Sequence, residues 1–203
     1  MIIRPYLSLP ILMSAVLLGG CSTQPSQKTL FYRLDLPVAS AQQTTEPTKT
    51  VSAQPLIGIG PVTLANYLDR PQIIRRLSPY QLELDDFHHW AGKLQDNITL
   101  VLVDALQSNL GADKVVGYPW HRAVKPAYEL SLNVDRLDAQ QEQLLLQVRW
   151  TLIDGREGRL IDLHQANITE PVQGSGAEAQ VAAASRAVKR LAEQLTARLR
   201  PYL

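Results

Sequence analysis

Tyr128-Glu129-Leu130-Ser131-Leu132-Asn133-Val134-Asp135 alternates apolar and polar residues without a break, and Leu144, Leu146, Val148, Trp150 and Leu152 resume the same period further along. A period of two puts every apolar side chain on one face of an extended strand. Asp154-Gly155-Arg156-Glu157-Gly158 supplies turn residues before Leu160 to Ile168, completing a three-stranded meander. Such a sheet has an apolar face to cover, and the flanking sequence changes period to cover it. Downstream, Gly174-Ser175-Gly176 opens a helix in which Ser175 and Glu178 have capping-box spacing and Val181, Val188, Leu191, Leu195 and Leu199 form one stripe, ended by Pro201. Upstream, Leu94, Ile98, Val101, Leu102, Ala105 and Leu106 repeat at helical spacing, predicting a helix over roughly Phe87 to Leu110 that Asp85 or Asp86 caps and Gly111 stops. The reading is an α+β two-layer domain, with an antiparallel-rich mixed sheet packed against two long amphipathic helices.

Shorter strands fill in around this centre. Leu30 to Leu36 alternates well enough to pin the start of the domain, and Pro55 to Val62 is an apolar run whose Gly58 and Gly60 permit close backbone approach. Gln72 to Leu77 and Tyr80 to Leu84 join at Ser78-Pro79, and Lys114 to Tyr118 adds one more strand. Residues 38–54 are rich in Ser, Thr, Gln and Ala, lack either period, and read as a polar loop. The domain therefore spans 30–203.

The N-terminus carries an address. A basic start at Arg4, an apolar stretch from Tyr6 to Leu18, and Gly19-Gly20 before Cys21 make residues 1–20 a signal peptide. As a helix that stretch rises only about 20 Å, short of the roughly 30 Å hydrocarbon core. Leu18-Gly19-Gly20-Cys21 looks like a bacterial lipobox, which implies diacylglycerol on the Cys21 sulfur and an N-acyl chain on the new amino terminus. An unmodified or buried thiol is the alternative. Two or more acyl chains anchor stably where one does not. Residues 21–29 are then a lipidated tether, and Ser22, by likeness to enterobacterial lipoproteins, implies the periplasm-facing leaflet of the outer membrane.

Composition excludes several functions. The 203 residues carry 20 Lys+Arg against 19 Asp+Glu, and removing Arg4 leaves 19 of each, so no broad basic face is available for nucleic acid. One cysteine forms no internal disulfide and no multi-cysteine metal site. His88-His89 beside Asp85 and Asp86 resembles metal ligands, but adjacent helical residues diverge by about 100°, so solvated or packed histidines are the simpler reading. Gly58-Ile59-Gly60 lacks the third glycine of a dinucleotide turn. No Gly-x-Ser-x-Gly elbow, Walker loop or His-Glu-x-x-His occurs, and no catalytic residue or resident cofactor is expected beyond the covalent lipid. Arg70, Arg75 and Arg76 form a small basic group suited to lipid headgroups, an acidic partner, or plain solvation.

Gly60-Pro61-Val62, Tyr67-Leu68-Asp69-Arg70-Pro71-Gln72-Ile73, and Trp90-Ala91 to Leu94 with Asn97-Ile98 together resemble the ABC-type transport auxiliary lipoproteins over most of residues 30–200. The resemblance implies a noncatalytic partner of an intermembrane lipid-transport system: an outer-membrane subunit docking an MCE-domain periplasmic conduit protein (PqiB-like) and supporting envelope integrity. It also implies contact with outer-membrane lipids and leaves association with copies of itself open. On this reading Tyr67, Asp69, Arg70, Pro71 and Gln72 contribute to partner binding from an exposed strand edge. The alternative at that block is a rigid turn. A lipid-binding carrier, which would need a closed apolar cavity, and an envelope hydrolase, which would need a nucleophile and base in reach, are the other functions considered.

Overall fold

The computed structural model describes residues 27–35 and 55–203. The signal peptide, Cys21 and the polar segment 38–54 lie outside them. Eight strands and two long helices follow in the order β1 (Leu30–Tyr32), β2 (Ile57–Leu64), β3 (Gln72–Ser78), β4 (Gln81–Trp90), α1 (Leu94–Leu110), β5 (Val115–Gly117), β6 (Tyr128–Gln140), β7 (Gln143–Asp154), β8 (Leu160–Pro171) and α2 (Gly176–Leu199). The fold is α+β, as the periodicities predict.

β6, β7 and β8 form the meander in long antiparallel ladders, Leu130 opposite Leu152 and Leu146 opposite Ile168. Their inward side chains meet α1 and α2 in one apolar cluster that includes Leu102, Leu106, Leu146, Val148, Leu191 and Leu195. All six apolar residues of the α1 stripe are buried, and so are all five of the α2 stripe. Five alanines of α2, Ala177, Ala183, Ala184, Ala187 and Ala192, are buried as well, which lets the helix lie close to its neighbours. Asn109 of α1 donates to Thr196 Oγ1 of α2 at 3.1 Å, a polar tie between the helices.

The sheet forks at β6. One edge of β6 is filled along its length by β7; the other is shared by two parallel neighbours, β2 against Tyr128 to Val134 and β3 against Ala139 and Gln140. β3 carries β4 antiparallel, β4 carries β1 parallel, and β5 closes the far side of β2. The strand holding Arg75 and Arg76 is thus internal, paired on both sides, rather than the exposed edge expected from its sequence. Edge status depends on partners remote in the chain, which no local pattern encodes.

A second difference concerns α1. It starts at Leu94, not Phe87, with Lys93 at the N-cap position and no side-chain cap bond. Residues 88–90 instead pair with β1, Leu30 opposite His88 and Tyr32 opposite Trp90, and Gly92 turns the chain with φ +104°. Asp85 and Asp86 therefore lie in β4 and do not cap the helix. The Asp85 carboxylate accepts the Phe87 N–H at 3.0 Å and lies 2.8 Å from His88 Nδ1, a local bond that competes with the helix start. Ser175 does occupy the N-cap position of α2, but its hydroxyl makes no capping bond. β1 ends at Tyr32, short of the predicted Leu36.

Two glycines behave as their sequence context suggests. A Cβ on Gly58 would come within 2.8 Å of the Trp120 ring, and Gly60 has φ +119° where β2 shifts register between Ile59 and Val62.

Candidate functional site

The seven residues between β2 and β3 fill the fork. Ala65 N–H donates to Val134 O at 2.9 Å, Leu68 N–H to Ala65 O at 2.8 Å, and Arg70 N–H to Leu68 O at 2.9 Å, so the segment is a tight turn strapped to β6. Leu68 is buried in the core and Tyr67 is half-buried. Asp69, Arg70 and Pro71 are exposed. Trp90 N–H donates to Pro71 O at 2.7 Å, fixing the turn against the end of β4. Between the turn and Trp90, Lys93 and Leu94 lies a hollow of about 320 Å³. Gln72 opens β3 opposite His89.

The five residues predicted for partner binding therefore divide. Asp69, Arg70 and Pro71 line the hollow, Gln72 is half-buried at the strand start, and Tyr67 turns inward. Its hydroxyl donates to Asp138 Oδ2 at 2.9 Å and also lies 3.2 Å from Asp135 O.

Asp138, fully buried, is the centre of a clamp that closes the fork. Arg76 of β3 grips it with two bonds, Nε to Oδ1 at 2.9 Å and Nη2 to Oδ2 at 3.0 Å, and Arg136 Nη2 donates to Oδ1 at 2.8 Å. Burial pushes the Asp138 carboxyl up, but the bonds from Arg76, Arg136 and Tyr67 outweigh it and hold the group below its usual range. The same burial, with the Asp138 charge beside it, pushes the Tyr67 phenol up to about 12. Two cations and a phenol thus converge on one anion in the gap between β2 and β3 along β6, with Arg136 Nε left buried without a partner. No sequence pattern marks the clamp: Asp138 follows the alternating stretch, and nothing local signals its burial.

The basic group of the sequence separates three ways. Arg76 is spent on Asp138, Arg75 pairs with Glu83 at 2.5 Å, and Arg70 has no ion pair among the described residues. On the sheet face away from the helices, a trough of about 620 Å³ runs past Thr63, Asn133, Arg149, Leu163 and His164. It is open, not the enclosed apolar cavity a lipid carrier would require. Arg149 there is held bidentately by Asp135 at 2.7 and 2.8 Å. His88 and His89 lie in β4 against Tyr32 and Phe31, and no group of three His, Cys, Asp or Glu side chains converges as metal ligands among the described residues.

The domain is thus a mixed, forked sheet backed by two helices, with an exposed turn beside a shallow hollow. The chain belongs to the family of ABC-type transport auxiliary lipoprotein components, whose sequence model matches residues 32–196. The description of that family is of a transport auxiliary component. No curated protein matches the sequence. Among solved structures, an uncharacterized protein is similar with a TM-score of 0.68 at 16% identity, covering 85% of this chain and 99% of its own. A protein from Xanthomonas campestris of the DUF330 family is similar with a TM-score of 0.64 at 18% identity, covering 84% of this chain and 94% of its own. These likenesses establish the fold. No helix among the described residues is long and apolar enough to cross a membrane.

Proposed function

We propose that this auxiliary lipoprotein is the noncatalytic outer-membrane subunit of an MCE-type intermembrane lipid-transport system. Acyl chains on Cys21 hold it to the periplasm-facing leaflet, and the domain docks the conduit there. Family membership over residues 32–196 is the observation that carries the reading. The Leu18 to Cys21 lipobox supplies the anchor, and Ser22 favours export to the outer membrane. The hollow beside Asp69, Arg70 and Pro71 supplies a contact surface, because its rigid backbone presents a guanidinium that an acidic segment of the conduit protein would pair with.

Two substitutions test the two halves of the proposal. Cys21→Ala should deplete the protein from outer-membrane fractions; undiminished recovery with the outer membrane would overturn the anchor. Arg70→Glu should cut copurification with the MCE-domain conduit protein about tenfold or more while leaving thermal unfolding within a degree or so, because an exposed charge contributes little to stability. Undiminished recovery would remove this surface from the interface.

A further inference from the structure

Exposed apolar side chains are unevenly distributed over the molecule. Leu30, Phe31, Leu77, Tyr80, Leu84 and Phe87 all lie on β1 and the β3–β4 hairpin, whereas the much longer β6–β7–β8 meander contributes Leu160 and Leu163. Three of the six lie at the β1 edge where the chain enters the domain, Leu30 and Phe31 pointing to its opposite sides and Phe87 on the neighbouring strand. Leu30 is 49% exposed, Phe31 66% and Phe87 39%; Leu30 stands opposite His88, the neighbour of Phe87, and the Phe31 ring meets His89 edge-on at 6.0 Å. The first described residue, Gln27, follows Cys21 by six peptide links, at most about 22 Å of extended chain.

We propose that the β1 edge, with Leu30 and Phe31 on its two sides and Phe87 beside it on β4, is a second membrane contact, inserted edge-first into the interfacial layer of the phospholipid leaflet that holds the Cys21 acyl chains. The inference rests on the lipid anchor under the proposed function and adds an orientation to it. Three observations commit the occupant to lipid. The tether is too short to hold this corner of the domain far from the bilayer. Its side chains are two phenylalanines and a leucine, residues that partition into the acyl boundary. Lys28 and Arg33 flank the strand and suit lipid phosphates, while Asp85 and Asp86 beside Phe87 offset them, so the contact is driven by apolar burial rather than charge. The anchor multiplies a weak contact, because it fixes the patch at high effective concentration beside the leaflet. The contact would tilt the domain with β1 toward the membrane and β8, five strands away along the sheet, toward the periplasm.

The single cysteine gives a direct test, since acylation consumes the one native thiol. Full-length lipidated protein carrying Phe31→Cys or, as the distant control, Leu160→Cys is labelled with a thiol-reactive NBD fluorophore and reconstituted in phosphatidylethanolamine–phosphatidylglycerol vesicles. Doxyl-labelled lipid should quench the fluorophore at 31 at least threefold more than the one at 160, and aqueous iodide should quench it less. Equal lipid quenching at the two sites would overturn the contact. Shielding from iodide without lipid quenching would also overturn it, showing that protein, such as a second copy, covers the patch. Labelling of the unsubstituted protein would show a free Cys21 thiol and overturn the anchor and this contact together, so the two failures are distinguishable.

Discussion

Two regions of the sheet, the β6–β7–β8 arm and the β1–β4–β3 arm, are held together by different physics. The β6–β7–β8 arm is knitted by two long antiparallel ladders and lies against α2 over aliphatic side chains such as Leu146, Val148 and Leu191, each at most 1% exposed. The β1–β4–β3 arm meets β6 through only Arg75 and Arg76 opposite Ala139 and Gln140, and leaves many apolar side chains in solvent. What binds it to the rest is the Asp138 clamp, the buried bond from Gln180 Nε2 to Ile74 O at 2.6 Å, and the insertion of Ile73, Ile74 and Leu68 into the core. Burial holds one arm and a few directional bonds position the other.

The comparison can be broken most severely at its centre. Asp138→Ala leaves the Arg76 and Arg136 guanidiniums without their anion and should cost about 3–5 kcal/mol, read as a lowered urea midpoint, with hydrogen-exchange protection lost first in β3 and β4. Because the folded Asp138 carboxyl titrates below its unfolded range, its contribution is complete above the unfolded value near 3.9 and fades as pH falls through the folded one. The variant should therefore show a flatter acid limb than the parent. Leu146→Ala, in the aliphatic arm, should cost about 2–5 kcal/mol, but with a uniform loss of protection across the meander and helices. If Asp138→Ala also lowers protection uniformly, the two arms are not separable units.

Smaller perturbations sharpen the contrast. Tyr67→Phe removes one bond to Asp138 and should cost about 1 kcal/mol at neutral pH. A phenol raised to about 12 in the fold and near 10 when unfolded stabilises fully below pH 10 and loses that contribution as pH rises toward 12, so the variant should lose less stability over that interval than the parent. Arg75→Ala, which breaks the exposed pair with Glu83, should change the unfolding free energy by less than about 0.5 kcal/mol. A larger effect would mean that surface charge, rather than the clamp, secures the arm.

Much of the fold was legible before any coordinates. The meander, the turn at Asp154, where the carboxylate accepts N–H bonds from Arg156 and Glu157 at 2.9 and 3.1 Å, and the buried stripes of both helices follow from local period and turn chemistry. The candidate site was only half legible. Asp69, Arg70 and Pro71 lie on the surface beside a hollow, but Tyr67, chosen from the same block, faces Asp138 inside the protein. A sequence block shows which residues travel together, not which way each side chain points.

Residue order alone determined the strand and helix periods, the position of the lone cysteine after an apolar leader, and the near balance of charge, because each is a property of neighbours along the chain. Tertiary structure decided that residues 88–90 pair as strand instead of starting a helix, that β3 lies within the sheet, and that Asp138 is a buried anion. These outcomes turn on partners 50 or more residues away, such as Leu30 beside His88 and Arg76 beside Asp138. The free energy of pairing and burial between such distant segments outweighs local preference and is set only when the whole chain closes on itself.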